Sequence, residues 1–158
     1  MTGASPLKIV VIGLGNPDRG DDAVGPIVAG RAAGAVGLPA DSCPPPGPVE
    51  LLERWQGVDL AVVVDAVRAG DPPGTVRVID AAAEAVLGMA TASTHGLGLA
   101  CALRLSRAIG RAPGRMVLVG VEGGDFSAGG DLSPAVAEAV PEAVRTVIGL
   151  IMEAERCA

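Results

Sequence analysis

The chain alternates between two kinds of apolar pattern. Short, unbroken runs rich in β-branched residues occur at Lys8-Ile9-Val10-Val11-Ile12, Leu60–Val64 and Arg115–Val121. Such runs predict strands buried on both faces. Between them, apolar residues recur at helical spacing: Val24, Ile27 and Val28 in a segment from about Asp22 to Ala33; Leu51, Leu52 and Trp55; Leu99, Ala102, Leu103 and Leu105, running from near His95 to Ile109; and Val144, Val147, Ile148, Ile151 and Met152. Each predicts a helix with one buried stripe. A short second strand is expected near Ala40 to Cys43, ended by Pro44-Pro45-Pro46. Thr75–Ile79 alternates around Arg77 and predicts a half-exposed edge strand. Only Ala66 to Gly74, rich in Gly and Pro, links it to Leu60–Asp65, which is too little for a crossover helix. Those two strands should therefore run antiparallel. Ser133-Pro134 predicts a capped turn, and Pro141 a fresh helix start. The sum is an α/β fold, a three-layer α/β/α sandwich around an approximately five-stranded, mostly parallel, twisted sheet with one antiparallel edge strand.

Composition narrows the picture. The 158 residues fit one domain, 1–158, and 49% are hydrophobic. With Trp55 and Phe126 as the only aromatics, the core must be aliphatic. A net charge of -6, with Lys8 the sole lysine, argues against a nucleic-acid partner. No apolar stretch approaches the ~18 residues that span a bilayer, and no signal peptide is evident. Cys43, Cys101 and Cys157 are odd in number and form no C-x-x-C pair, which suits a reducing cytoplasm and reads as three small buried hydrophobes.

Candidate chemistry gathers where strands end. The turn Gly13-Leu14-Gly15-Asn16-Pro17-Asp18-Arg19-Gly20-Asp21-Asp22 carries two adjacent acids to a helix N-terminus. Phosphate-binding turns of this kind present amides, not carboxylates. A dinucleotide fingerprint would place its third glycine at Asp18, and no P-loop lysine exists, so a nucleotide-binding module is a poor fit. Ligands in open α/β sheets bind at the carboxyl ends of strands, which selects Asp22, Asp65 and His95, the only histidine. Two carboxylates and an imidazole suit a divalent ion such as nickel, zinc or manganese. Each residue also has a plain structural reading: a helix cap for Asp21 or Asp22, a loop cap for Asp65, a structural ring for His95. Spacing alone leaves both readings open.

These segments resemble the hydrogenase maturation endopeptidases. The similarity begins at Ile12-Gly13-Leu14-Gly15-Asn16-Pro17 and Arg19-Gly20-Asp21-Asp22 and runs to Gly25-Pro26. It resumes at Val63-Val64-Asp65-Ala66, Ser93-Thr94-His95-Gly96-Leu97 and Val121-Glu122, and closes through Asp125-Phe126-Ser127, Gly130 and Leu132-Ser133-Pro134. Ala23, Gly123 and the proline-rich 40–48 stretch depart from the family pattern. The resemblance implies an endopeptidase that removes the C-terminal extension of a [NiFe] hydrogenase large-subunit precursor after nickel insertion. It further implies Asp22, Asp65 and His95 as nickel contacts; it does not assign the water-activating base, for which the adjacent Asp21 is a candidate. The Ni2+ would arrive with the substrate; Zn2+ or Cd2+ could stand in for it. The competing reading is a metal-binding maturation chaperone that cleaves nothing. Ser93 and Thr94 are expected to orient the His95 ring or cap the helix after it.

Overall fold

A computed structural model describes residues 5–41, 47–80 and 95–158. The elements run β1 (Ile9–Gly13), a 3-10 turn (Gly20–Ala23), α1 (Val24–Ala35), β2 (Ala40–Asp41), α2 (Pro48–Trp55), β3 (Leu60–Val67), β4 (Val76–Asp80), α3 (Gly96–Ala108), β5 (Arg115–Glu122) and α4 (Pro134–Arg156). The five strands form one sheet in the order β2-β1-β3-β5-β4. All neighbours are parallel except β4, which pairs antiparallel with β5 at the edge.

Register explains the three layers. Val11, Val62 and Val117 lie side by side across β1, β3 and β5, as do Ile12, Val63 and Leu118 one residue on. Successive side chains point to opposite faces of a sheet, so the two rows feed two cores. The first packs with Val24, Val28, Val140 and Val147 of α1 and α4. The second packs with Leu51, Trp55, Leu99 and Leu103 of α2 and α3. Within that second layer the buried Trp55 indole donates to Ser106 Oγ at 2.8 Å, and Ser106 Oγ donates to the Ala102 carbonyl at 2.7 Å. This chain gives the one polar atom of Trp55 a partner in an otherwise dry layer.

Several boundaries differ from expectation. The β3 and β4 strands run in opposite directions but are not neighbours, because β5 inserts between them. Strand β3 extends two residues past Asp65, since β5 continues to pair with it through Val67 and Glu122. Asp22 sits in the 3-10 turn rather than opening α1. The second strand is only two residues long, and positions 42–46, including Cys43, lie outside the described residues, as do Ser93 and Thr94. Cys101 and Cys157 are exposed free thiols, not core residues.

Pro141 does not restart a helix. It lies inside the continuous 23-residue α4, whose stripe of Val136, Val140, Ala143, Val147 and Ile151 stays buried across it. The burial of that stripe outweighs one missing backbone donor, so tertiary packing overrides a local breaker. Pro141 is itself exposed. Pro141→Ala should restore the amide hydrogen bond to Ala137 and stabilise the fold by about 1 kcal/mol, net of the entropy that proline removes from the unfolded chain. A thermal scan should show a midpoint raised by roughly 2–4 °C; a lowered midpoint would refute the assignment.

Candidate metal centre

The site lies at the carboxyl edge of the sheet, where three segments meet. The loop after β1 is drawn tightly onto the start of α1. A Cβ on Gly15, at φ +137°, would lie 1.9 Å from the Asp22 carbonyl, and one on Gly25 would lie 2.0 Å from the Leu14 carbonyl. Only glycine permits either approach. Leu14 also donates its amide to the Val64 carbonyl at 2.8 Å, which holds the loop beside the end of β3. These contacts bring Asp22 to Asp65. His95 comes from the residue directly before α3.

The three side chains converge. His95 Nδ1 is 3.4 Å from Asp65 Oδ1 and 3.9 Å from Asp22 Oδ1, and one ligand atom of each residue lies within 4.8 Å of the others. A divalent ion with ~2.1 Å bonds in a tetrahedral shell separates its donors by about 3.4 Å, so the observed spacing needs little adjustment. Asp22 Oδ2 accepts the Asn16 amide at 2.8 Å, which orients the carboxylate. Its other oxygen, Oδ1, is buried with no hydrogen-bond partner among the described residues and faces the cluster. A buried carboxylate oxygen left without a donor is costly unless a cation visits it. The donor set and this oxygen both fit a divalent metal.

The cluster also controls protonation. The hydrogen bond to Asp65 raises the His95 pKa; burial opposes this, and the charges of Asp65 and Asp22 add to the rise. Without metal the site therefore favours imidazolium as its counter-charge.

Asp21 has a different place. It is fully buried and accepts four hydrogen bonds: Gly124 and Asp125 amides at 2.7 and 2.8 Å, and the Ser133 amide and hydroxyl at 2.7 and 2.9 Å. Burial pushes its pKa up, but the bonds from Asp125, Gly124 and Ser133 outweigh this and hold it below the ordinary carboxylate value. A carboxylate so engaged is a weak proton acceptor; it pins the loop of residues 123–133. Ser133 makes no side-chain cap for α4, because its hydroxyl is spent on Asp21.

Glu122 is a second pin, given no role from sequence. It is buried, and its two oxygens accept the Ala69 and Gly70 amides at 2.9 and 3.0 Å. The available signal was a carboxylate closing an otherwise apolar strand, the same signature as Asp65.

A three-layer α/β/α fold with an acid–acid–histidine cluster at the carboxyl sheet edge defines a protein whose candidate site lies where open α/β sheets bind their ligands. Residues 47–150 match the family described as hydrogenase maturation protease. The chain is 33% identical over 156 residues to the hydrogenase expression/formation protein HupD of Rhodobacter capsulatus, a match covering 92% of this chain and 73% of that protein. It also matches HupD of Thiocapsa roseopersicina, at 36% identity over 104 residues, spanning 46% of that protein's length. Among solved structures, the E. coli hydrogenase maturating endopeptidase HybD superposes with a TM-score of 0.76 at 28% identity, covering 94% of each chain. The chain belongs to the hydrogenase maturation proteases, a family of peptide-hydrolysing enzymes.

Proposed function

We propose that this endopeptidase removes the C-terminal extension of a [NiFe] hydrogenase large-subunit precursor, reading nickel already held by that client. The observation that carries this reading is the convergence of Asp22, Asp65 and His95, with the buried Asp22 Oδ1 lacking a hydrogen-bond donor among the described residues. Three protein donors leave coordination positions open, as a site that accepts a client-borne ion requires. Nickel there supplies a Lewis acid for the scissile carbonyl or an attacking water. Asp22 and Asp65 balance its charge, and His95 gives up its proton as it becomes a donor. No side-chain nucleophile is needed. Ser127 stands outside any G-x-S-x-G elbow, and its hydroxyl is hydrogen-bonded to Asp125. The exposed thiols of Cys101 and Cys157 suit a reducing compartment, so we place the reaction in the cytoplasm.

Affinity alone does not select nickel, since the usual order places copper above it. Selectivity should come from the client. Purified protein should shorten a nickel-loaded precursor and leave the nickel-free precursor intact, read as a mobility shift on a denaturing gel. Equal cleavage of both would overturn the gating. Binding without shortening would favour the chaperone reading.

Protonation supplies an independent check. His95 contributes stability to the metal-free fold through its raised pKa, fully present below the unfolded value near ~6.5 and lost as pH rises through the folded value. Metal binding has the opposite sign, because the ring must lose that proton to donate. Nickel affinity of the protein alone should fall as pH drops below the raised His95 pKa, with proton release on binding measurable by calorimetry in buffers of different ionisation enthalpy. Affinity independent of pH across this range would remove His95 from the ligand set.

A further inference from the structure

Arg68 is the first residue after β3, three positions beyond Asp65. Three residues of extended strand span about 10 Å. Its backbone is tied on both sides. Val67 accepts the Gly123 amide at 2.9 Å, while Ala69 and Gly70 donate to the buried Glu122. Its side chain is seated as well: the guanidinium carbon lies 4.0 Å from the centre of the Phe126 ring. Phe126 is half-buried against the α1–α4 core, on the loop that Asp21 pins.

Among the described residues, none of the buried acids Asp21, Asp22, Asp65 and Glu122 pairs with Arg68. Asp21 is spent on loop amides, Glu122 on Ala69 and Gly70, and Asp22 and Asp65 on His95. Among the described residues, Arg68 makes no ion pair or side-chain hydrogen bond, only the ring contact. Stacking on an aromatic face leaves the edge of a guanidinium free to donate, with its orientation already set. An exposed, held arginine beside an acidic cluster is a prepared donor for oxygen acceptors that the protein does not itself supply.

Resting on the peptidase reading above, we infer that Arg68 is a positioning residue for the client: its guanidinium binds oxygen acceptors of the precursor peptide, main-chain carbonyl or carboxylate, about three residues from the bond cut at the metal cluster. Glu122 and Phe126 fix where that donor stands.

Steady-state processing of nickel-loaded precursor by wild type, Arg68→Ala, Arg68→Lys and Phe126→Leu tests this. Arg68→Ala should raise KM about tenfold, as loss of a charge-assisted, bidentate contact does, with kcat within roughly twofold. Arg68→Lys should recover part of the loss, because lysine keeps the charge but not the fork. Phe126→Leu should raise KM less, by loosening the seat. Thermal midpoint and nickel affinity of Arg68→Ala should match wild type. If the Arg68→Ala defect disappears on a precursor whose tail carboxylates are replaced by amides, the acceptor is a side chain; if it persists, the acceptor is the main chain. Both results support the assignment. An unchanged KM would overturn it, as would a loss confined to kcat with a lowered thermal midpoint. Failure of wild type to shorten the precursor would instead sink the peptidase reading, so the two failures are distinguishable.

Discussion

Asp65→Asn should lower precursor processing by roughly 10³-fold or more while leaving the protein folded. Stabilisation of developing charge by a metal is worth several kcal/mol, and each 1.4 kcal/mol is a factor of ten in rate. Asp65 is 1% exposed at the centre of the cluster, and its Oδ1 is the nearer carboxylate to His95. Asparagine keeps the shape and an acceptor oxygen toward the imidazole, but it cannot balance a dication. Removing the charge weakens the interaction of Asp65 with the His95 imidazolium but also relieves its repulsion with Asp22 when no metal is present, so the two changes offset and the folded state loses little. The measurement pairs a single-turnover processing assay with circular dichroism. Asp22→Asn should behave similarly, since the amide can still accept from Asn16 while losing the charge of Oδ1. His95→Ala should stay soluble, because the ring is half-buried at a helix start rather than inside either core. Processing by Asp65→Asn within tenfold of wild type would show that the cluster does not carry the reaction.

The second large effect is structural. Gly25→Ala should destabilise the protein by about 3 kcal/mol or more, the upper range for overpacking, and a large share of the ~5–15 kcal/mol typical of a domain. The added methyl would lie 2.0 Å from the Leu14 carbonyl and 2.7 Å from the Val64 carbonyl, both rigid backbone. Relief requires α1 to lift off β1 and β3, which also moves Asp22 away from Asp65. Gly30→Ala is the matched control on the same helix. Nothing lies within 4 Å of its added methyl, so helix propensity should make it stabilising by roughly 0.5–1 kcal/mol. Urea titration of the two variants should shift midpoints in opposite directions. A Gly25→Ala protein as stable as wild type would mean that the loop and helix do not pack this closely.

Much of this was legible in the chain. The runs Ile9–Ile12, Leu60–Val64 and Met116–Val121 announced central parallel strands, because a strand buried on both faces has no polar alternation. Arg77 flagged the edge strand for the converse reason. The site residues were legible as candidates through a general rule about strand ends, and through motif resemblance, but their convergence was not. Nothing local to His95 says that it faces Asp65 across about 30 residues of chain. Asp21 illustrates the gap. In sequence it is the twin of Asp22, equally able to act as a ligand or a base. In the fold, one acid turns to the cluster and the other to four donors from residues 124, 125 and 133.

Composition and periodicity determined what could be decided by short-range sterics and burial: the strand and helix types, the layered α/β class, the aliphatic core and the glycine-rich turn. Tertiary structure decided whatever depended on competition between distant groups. It placed β5 between β3 and β4, because β5 is buried along all but its first residue and gains from a neighbour on both sides, while the half-exposed β4 with Arg77 stays at the rim. It carried α4 straight through Pro141, because the buried stripe outweighs one lost amide bond. It withdrew the Ser133 hydroxyl from the helix end to Asp21. It also separated two neighbouring aspartates into a loop pin and a member of the Asp22–Asp65–His95 cluster, since the fate of a buried charge is set by the groups that surround it, and those groups come from elsewhere in the chain.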